Sequence, residues 1–174
     1  FALYYFFRSL GPYLRISKPT LFDNLNFLFS YQINYMYWRY FLWNFAGRQN
    51  DVQGEYSILN GNWISGITFI DELRLGNQKE LSQDQENNKA RNKYYFLPLL
   101  LGLIGLMFCY KYDIKSFWTL LLLFLFTGLA LKFYLNERPF EPRERDYALV
   151  GSFYVFFYLD WYGICCFNEL FQKV

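Results

Sequence analysis

The sequence predicts an all-α protein, a piece of a polytopic membrane helical bundle that combines a transmembrane hairpin with an aromatic-rich helix, interfacial or buried. Three observations predict it. Apolar residues make up 54% of the chain and Phe, Trp and Tyr 25%, while charged residues fall to 18%, below the roughly 25% usual in soluble domains. Two runs of almost pure hydrocarbon lie five residues apart. Rings collect at the ends of those runs, where amphipathic side chains sit at headgroup depth.

The chain opens at Phe1 inside an aromatic stretch without a methionine and reads as an internal piece of a longer protein. Four regions follow from the pattern: an aromatic-rich membrane-interface region over 1–93, a transmembrane hairpin over 94–135, a charged Pro-containing loop over 136–146 and a third transmembrane segment over 147–174. From Asp23 to Phe45 the chain is apolar enough to span, yet Asp23, Asn26, Ser30 and Asn34 recur at spacings of three and four, one stripe of a helix. Gln32 and Arg39 fall near the opposite side. Two polar stripes on an aromatic helix suit an interfacial position or burial against protein. Pro19-Thr20 supplies a start signal and Gly47 a stop. The Gln, Asn, Glu and Lys residues of Gly76 to Lys93 make a solvated loop.

Tyr94 to Tyr110 (YYFLPLLLGLIGLMFCY) carries no charge and has about the length of a roughly 30 Å hydrocarbon core. Pro98 falls near its first turn, where a missing N–H costs little. After the connector KYDIK, Ser116 to Leu135 carries one charge, Lys132, which is expected to snorkel. Two spans joined so closely form an antiparallel hairpin, because in lipid every backbone group must be satisfied within a helix or closed barrel. In residues 136–146 charges of both signs crowd around Pro139 and Pro142, which rules out lipid burial and a continuous helix. A third apolar stretch, Tyr147 to Phe167, is interrupted by Asp160, costly at mid-bilayer unless it faces protein or water.

The net charge of +2 and the lack of a Lys/Arg run leave no footprint for nucleic acid. Zero histidine removes the commonest general base and metal ligand. Cys109, Cys165 and Cys166 lack CxxC spacing and read as buried small apolar residues. There is no Walker loop, no dinucleotide turn, no nucleophile elbow and no metal-spaced Cys or His set, so neither cofactor nor metal is expected and a nucleotide-fuelled pump or a hydrolase is disfavoured.

Three clusters join charge to a reason for shape. The first is Arg48-Gln49-Asn50-Asp51 between Gly47 and Gly54: a guanidinium, two amides and a carboxylate that could hold a phosphate or sugar hydroxyls, or that merely make a polar capping turn at the headgroups. In the second, Asp71, Glu72 and Arg74 follow Gly61-Asn62-Trp63 and read as a base or cation site or as exposed ion pairs worth little. In the third, Arg138 to Tyr147, Arg143 and Arg145 could face a lipid phosphate, and the alternative is a self-neutralising loop.

At these clusters the strings YQINYMYWRYFLWNFAGRQNDVQG (31–54), GNWISGITFIDELRLG (61–76) and NERPFEPRERDYALVGSFY (136–154) closely resemble segments of multi-pass Bacteroidota proteins grouped as domain of unknown function 2723. That family is similar to a eukaryotic transmembrane protein O-mannosyltransferase, and so to the GT-C glycosyltransferases. The resemblance implies an inner (cytoplasmic) membrane enzyme that moves a sugar from a polyprenyl-phosphate donor to a protein hydroxyl. In that class the catalytic carboxylate lies in the first extracytoplasmic loop, so no catalytic residue carries over here. What it implies here is lipid-phosphate binding by Arg48, Gln49, Asn50, Asp51, Arg143 and Arg145. The ending, Leu159 to Val174, departs from the apolar helix the family calls for. A non-catalytic scaffold or transporter bundle is the competing expectation. The positive-inside tendency puts KYDIK outside and its flanking loops in the cytoplasm, opposite to what the enzyme reading prefers.

Overall fold

The computed structural model describes residues 18–137 and 145–172, and the chain is mostly helical there. Helix α1, residues 21–45, starts where expected. Thr20 caps it, its hydroxyl accepting from the Asp23 amide at 3.3 Å while the Asp23 carboxylate accepts from the Thr20 amide at 2.8 Å, a reciprocal capping box. The middle of α1, Phe27–Trp38, is wound wider, as a π-helix. Within it Tyr31, Gln32, Met36 and Tyr37 are buried, while Asp23, Asn26, Ser30 and Asn34 stay exposed. Gly47, at φ 147°, turns the chain out of the helix, and a Cβ there would stand 2.6 Å from the Ile64 carbonyl oxygen.

That turn opens a two-residue antiparallel ladder, β1 (Gly47–Arg48) on β2 (Asn92–Lys93). Between the strands lie α2 (Thr68–Leu75), the short α3 (Gln83–Glu86) and a largely exposed polar segment. The Tyr94 amide donates to Ala46 O at 3.0 Å and the Tyr95 amide to Ser65 O at 3.1 Å. Tyr94 and Tyr95 therefore belong to the loop rather than to the following span. Tyr95 and Phe96 both adopt positive φ, 53° and 58°, so α4 runs only Leu97–Tyr112, with Pro98 in its first turn. Its 16 residues rise about 24 Å at about 1.5 Å each, short of a full crossing at right angles to a bilayer of about 30 Å.

A single non-helical residue, Asp113, separates α4 from α5 (Ile114–Leu135). The ring of Phe117 meets Tyr110 beside that break, and Phe124 meets Phe156, against which Gly102 of α4 packs. The expected antiparallel hairpin follows. A π turn, Phe126–Ala130, places Gly128 under Tyr37, whose hydroxyl oxygen would be 2.6 Å from a Cβ there. Lys132 does not snorkel. Asn136 caps α5 at φ 43° and folds the chain back, so that Lys132, 2% exposed, bonds Glu137, 3% exposed, at 2.7 Å. Gln32 donates to Asn136 Oδ1 at 2.8 Å, tying α1 to the same end.

A 3-10 turn, Asp146–Leu149, leads into α6, Val150–Gln172. The helix passes Leu159 without a break, so the departure in sequence after that residue does not end it. Along α1, Tyr37 meets Ser152 and Phe153, and Phe45 meets Phe156. Helices α1 and α6 therefore run parallel, with α5 opposed to both. Phe41, Phe45, Cys109, Phe156 and Leu159 form the shared core, rings crossing edge to face as their quadrupoles favour. Cys109 is buried as expected, but Cys165 is exposed.

Where α4 crosses α6 the contact is backbone on backbone. A Cβ on Gly105 would overlap the Leu159 carbonyl oxygen, and one on Gly163 the Leu101 carbonyl oxygen. Asp160 faces this seam: it is 7% exposed, its Oδ1 lies against Gly102, and that oxygen has no hydrogen-bond partner among the described residues. It faces protein, the condition under which such a residue is tolerated.

Among the described residues, two helices are long and apolar enough to cross a membrane. Ile114–Leu135 has a mean hydropathy of 1.9 and few fully buried residues; Tyr147–Cys165 has 1.3 and is more deeply packed. The first turns Trp118, Leu122, Leu123 and Phe126 to the surroundings, while Phe117, Leu120 and Phe124 pack against the core.

Candidate functional site

The first cluster is drawn inward. Gln49 and Asn50 are both 7% exposed. The Gln49 amide nitrogen donates to Ile58 O at 3.0 Å and its oxygen accepts from Asn62 Nδ2 at 2.9 Å. Asn50 donates to Asn60 Oδ1 at 2.9 Å and accepts from the Gly61 amide at 2.8 Å. Both amides are thus spent on the returning arm of their own loop, which explains why a stretch with little apolar content is ordered. Asp51 is exposed at the loop's shoulder. The Arg48 guanidinium sits over Trp43, 4.1 Å from the ring centroid, and its buried Nε has no hydrogen-bond partner among the described residues.

Arg145 is half-buried at the start of the turn before α6, whereas Arg143 lies outside the described residues. The structure therefore does not bring Arg145 and the 48–51 turn onto one element.

The second cluster is not an exposed set of ion pairs. Asp71 is 3% exposed and accepts from the Ser65 amide at 2.7 Å, the Ser65 hydroxyl at 2.9 Å and the Gly66 amide at 2.9 Å. It reaches back to tie the turn before α2, a structural task that three donors fully explain. Arg74 turns the other way. Its guanidinium stacks on Trp63, 3.5 Å from the ring centroid, and donates to Trp63 O at 3.2 Å.

That rotation builds a cleft of about 240 Å³. Tyr35, Trp38 and Arg39 of α1 form one wall, and Asn62, Trp63 and Arg74 the other. Arg39 is held by Tyr35 O at 3.1 Å and by Gly61 O, with the Tyr35 ring beneath it at 4.5 Å. Burial pulls the Arg74 guanidinium below its ordinary value and the Asp71 carboxylate opposes the shift; a guanidinium keeps its proton throughout. Arg74, a planar cation on an aromatic face, with Arg39 and the exposed Asn34 amide across the cleft, can bind a phosphate or carboxylate. The long-range pairings of Arg39 with Gly61 and Arg74 with Trp63 leave no local sequence signal, although each Arg lies close to aromatic residues in the chain.

Among the described residues no three Cys, Asp or Glu side chains are grouped to hold a metal ion. Comparison with family models, curated proteins and solved structures finds no match.

Proposed function

We propose that the chain is the membrane-embedded part of a lipid-linked glycosyltransferase and that the Arg39–Arg74 cleft takes the phosphate-bearing headgroup of a polyprenyl-phosphate sugar. The cleft carries this reading. Arg74 supplies a planar guanidinium for a phosphate, with Arg39 across the cleft, and Trp38 on the α1 wall, 38% exposed, supplies a ring beside which a sugar can lie. The exposed apolar residues of Ile114–Leu135, among them Trp118, Leu122 and Phe126, support a membrane setting, which this reading takes to be a bacterial inner membrane. Catalytic groups then lie in the parent protein outside these 174 residues, and the acceptor is a protein hydroxyl.

A second reading, a non-catalytic scaffold or transporter bundle, is favoured by one observation: Gln49, Asn50 and Asp71 spend their polar atoms on their own loop. The test is transfer of labelled sugar from polyprenyl phosphate by the parent protein at matched membrane levels. Arg74→Lys keeps the charge and loses the planar fork. Loss of a charge-assisted hydrogen bond costs about 1.5–3 kcal/mol, so transfer at limiting donor should fall roughly ten- to a hundredfold. Wild-type transfer in Arg74→Lys and in Arg48→Lys would leave the scaffold reading standing.

A further inference from the structure

Beside the α4–α5 break lies an open groove of about 400 Å³ lined by Leu106, Met107, Tyr110, Lys111 and Phe117. Leu106 and Phe117 are partly buried and pack against the core, while Met107 and Tyr110 are 71% and 61% exposed. Apart from the lysine it is walled by hydrocarbon and rings. We propose that it binds an anionic phospholipid, one acyl chain against Met107 and Phe117 and the headgroup phosphate at Lys111 and Lys115; this rests on the membrane reading above.

Three features favour that occupant. The carboxylate of the connector is engaged in capping α5. Asp113 Oδ1 accepts from the Lys115 and Ser116 amides at 3.1 and 3.2 Å, and Oδ2 from the Ser116 hydroxyl at 2.6 Å, capping α5. No carboxylate among the described residues lies within ion-pair distance of either ammonium group, and Lys111 Nζ stands over the Tyr112 ring at 5.6 Å. Both lysines are exposed at the hairpin's turn, where the chain leaves hydrocarbon. Exposed rings of Tyr110, Tyr112 and Trp118 surround this end, the residue types that mark headgroup depth. Paired cations there attract anionic lipid, and a zwitterionic headgroup gains far less.

The experiment is native mass spectrometry of the purified chain, released from detergent micelles doped with equal phosphatidylglycerol and phosphatidylcholine, after carbonate washing of the membranes that contain it. The wild type should stay in the washed membranes and retain phosphatidylglycerol over phosphatidylcholine by roughly tenfold or more. Lys111→Gln/Lys115→Gln should bring the two lipids to parity, since neither lysine supports the fold. Met107→Trp, which fills the groove, should reduce retention of both. Release of the wild type by carbonate would defeat the membrane reading and the inference together. Membrane retention with equal lipid binding in the wild type, or an unchanged preference in the double variant, would defeat the inference alone.

Discussion

Gly105→Ala would place a methyl group where α4 and α6 already touch. A Cβ at that position overlaps the Leu159 carbonyl oxygen and stands 3.0 Å from the Gly163 amide nitrogen. Both obstacles are helix backbone, so neither swings aside, and one helix must shift. Overpacking of this kind costs about 1–3 kcal/mol, and a carbonyl that cannot rotate puts the site at the upper end. Alanine returns about 1 kcal/mol of helix propensity, leaving a net loss of roughly 2 kcal/mol. Gly102→Ala is the internal comparison: there the Cβ meets the ring tip of Phe156 and the carboxylate of Asp160, both ends of side chains, so the cost should be smaller. Reversible unfolding in mixed micelles, followed by Trp fluorescence, gives the ranking. Gly105→Ala should unfold first, Gly102→Ala next, and Leu103→Ala, on an exposed face of the same helix, close to wild type. If Gly105→Ala is as stable as the wild type, propensity outweighs contact and the seam is not limited by backbone approach.

Asp71→Asn keeps the shape but weakens acceptance from Ser65 and Gly66; it should cost about 1–3 kcal/mol, seen as faster hydrogen exchange at those two amides, and unchanged exchange would show the turn is held otherwise. Asn50→Ala frees the Gly61 amide, so limited proteolysis should cut the 51–60 loop sooner than in wild type, while Asp51→Ala should leave cleavage unchanged. Asp160→Asn removes an ionisable group from an apolar seam at constant shape; thermal midpoints in detergent at pH 8 should rise, and a fall would mean the carboxylate has a partner that stabilises it. The Thr20 amide and hydroxyl hold the Asp23 carboxyl below the usual carboxylate range. A depressed folded value means that the cap's contribution is fully present above an ordinary Asp value of about 3.9 and is lost as pH falls through the lower folded value. Protection of the first-turn amides of α1, taken relative to their intrinsic exchange, should therefore fall only in that acid window, and that fall should be absent in Asp23→Asn.

Much of the helical layout could be read from the chain because hydrocarbon length and capping chemistry are local. Pro19-Thr20 announced the start of α1, Gly47 its end, and the apolar runs the hairpin. What could not be read depends on contacts distant in sequence or on a single backbone angle. Tyr94 and Tyr95 looked like the ring-bearing end of a span, yet their amides serve Ala46 and Ser65, and two successive residues of positive φ delay the helix to Leu97. Lys132 sat near a span's end as a snorkelling lysine does, but one left-handed residue, Asn136, delivers Glu137 to it. For the candidate site, residue type was a better guide than position. Arginine beside aromatic residues was visible, but which guanidinium faces a cleft depends on Asp71 turning toward Ser65 and leaving Arg74 to Trp63. The wide winding of Phe27–Trp38 has no signature that we can name in its residues.

The short ladder between Gly47 and Lys93 works like a drawstring. It fastens the two ends of a 45-residue excursion, from Arg48 to Asn92 at its outermost pair, directly beneath the junction of α1 and α4, so the helices are positioned by the knot rather than by the length of cord. Once the ends are tied, each doubling of a flexible stretch costs only about 0.6 kcal/mol. The exposed polar part of the excursion between α2 and β2 can therefore vary in length, or carry an inserted epitope or small reporter domain, while the bundle and the cleft keep their geometry. Cutting the cord there would leave both helices in register; untying the knot at Gly47 would let them drift.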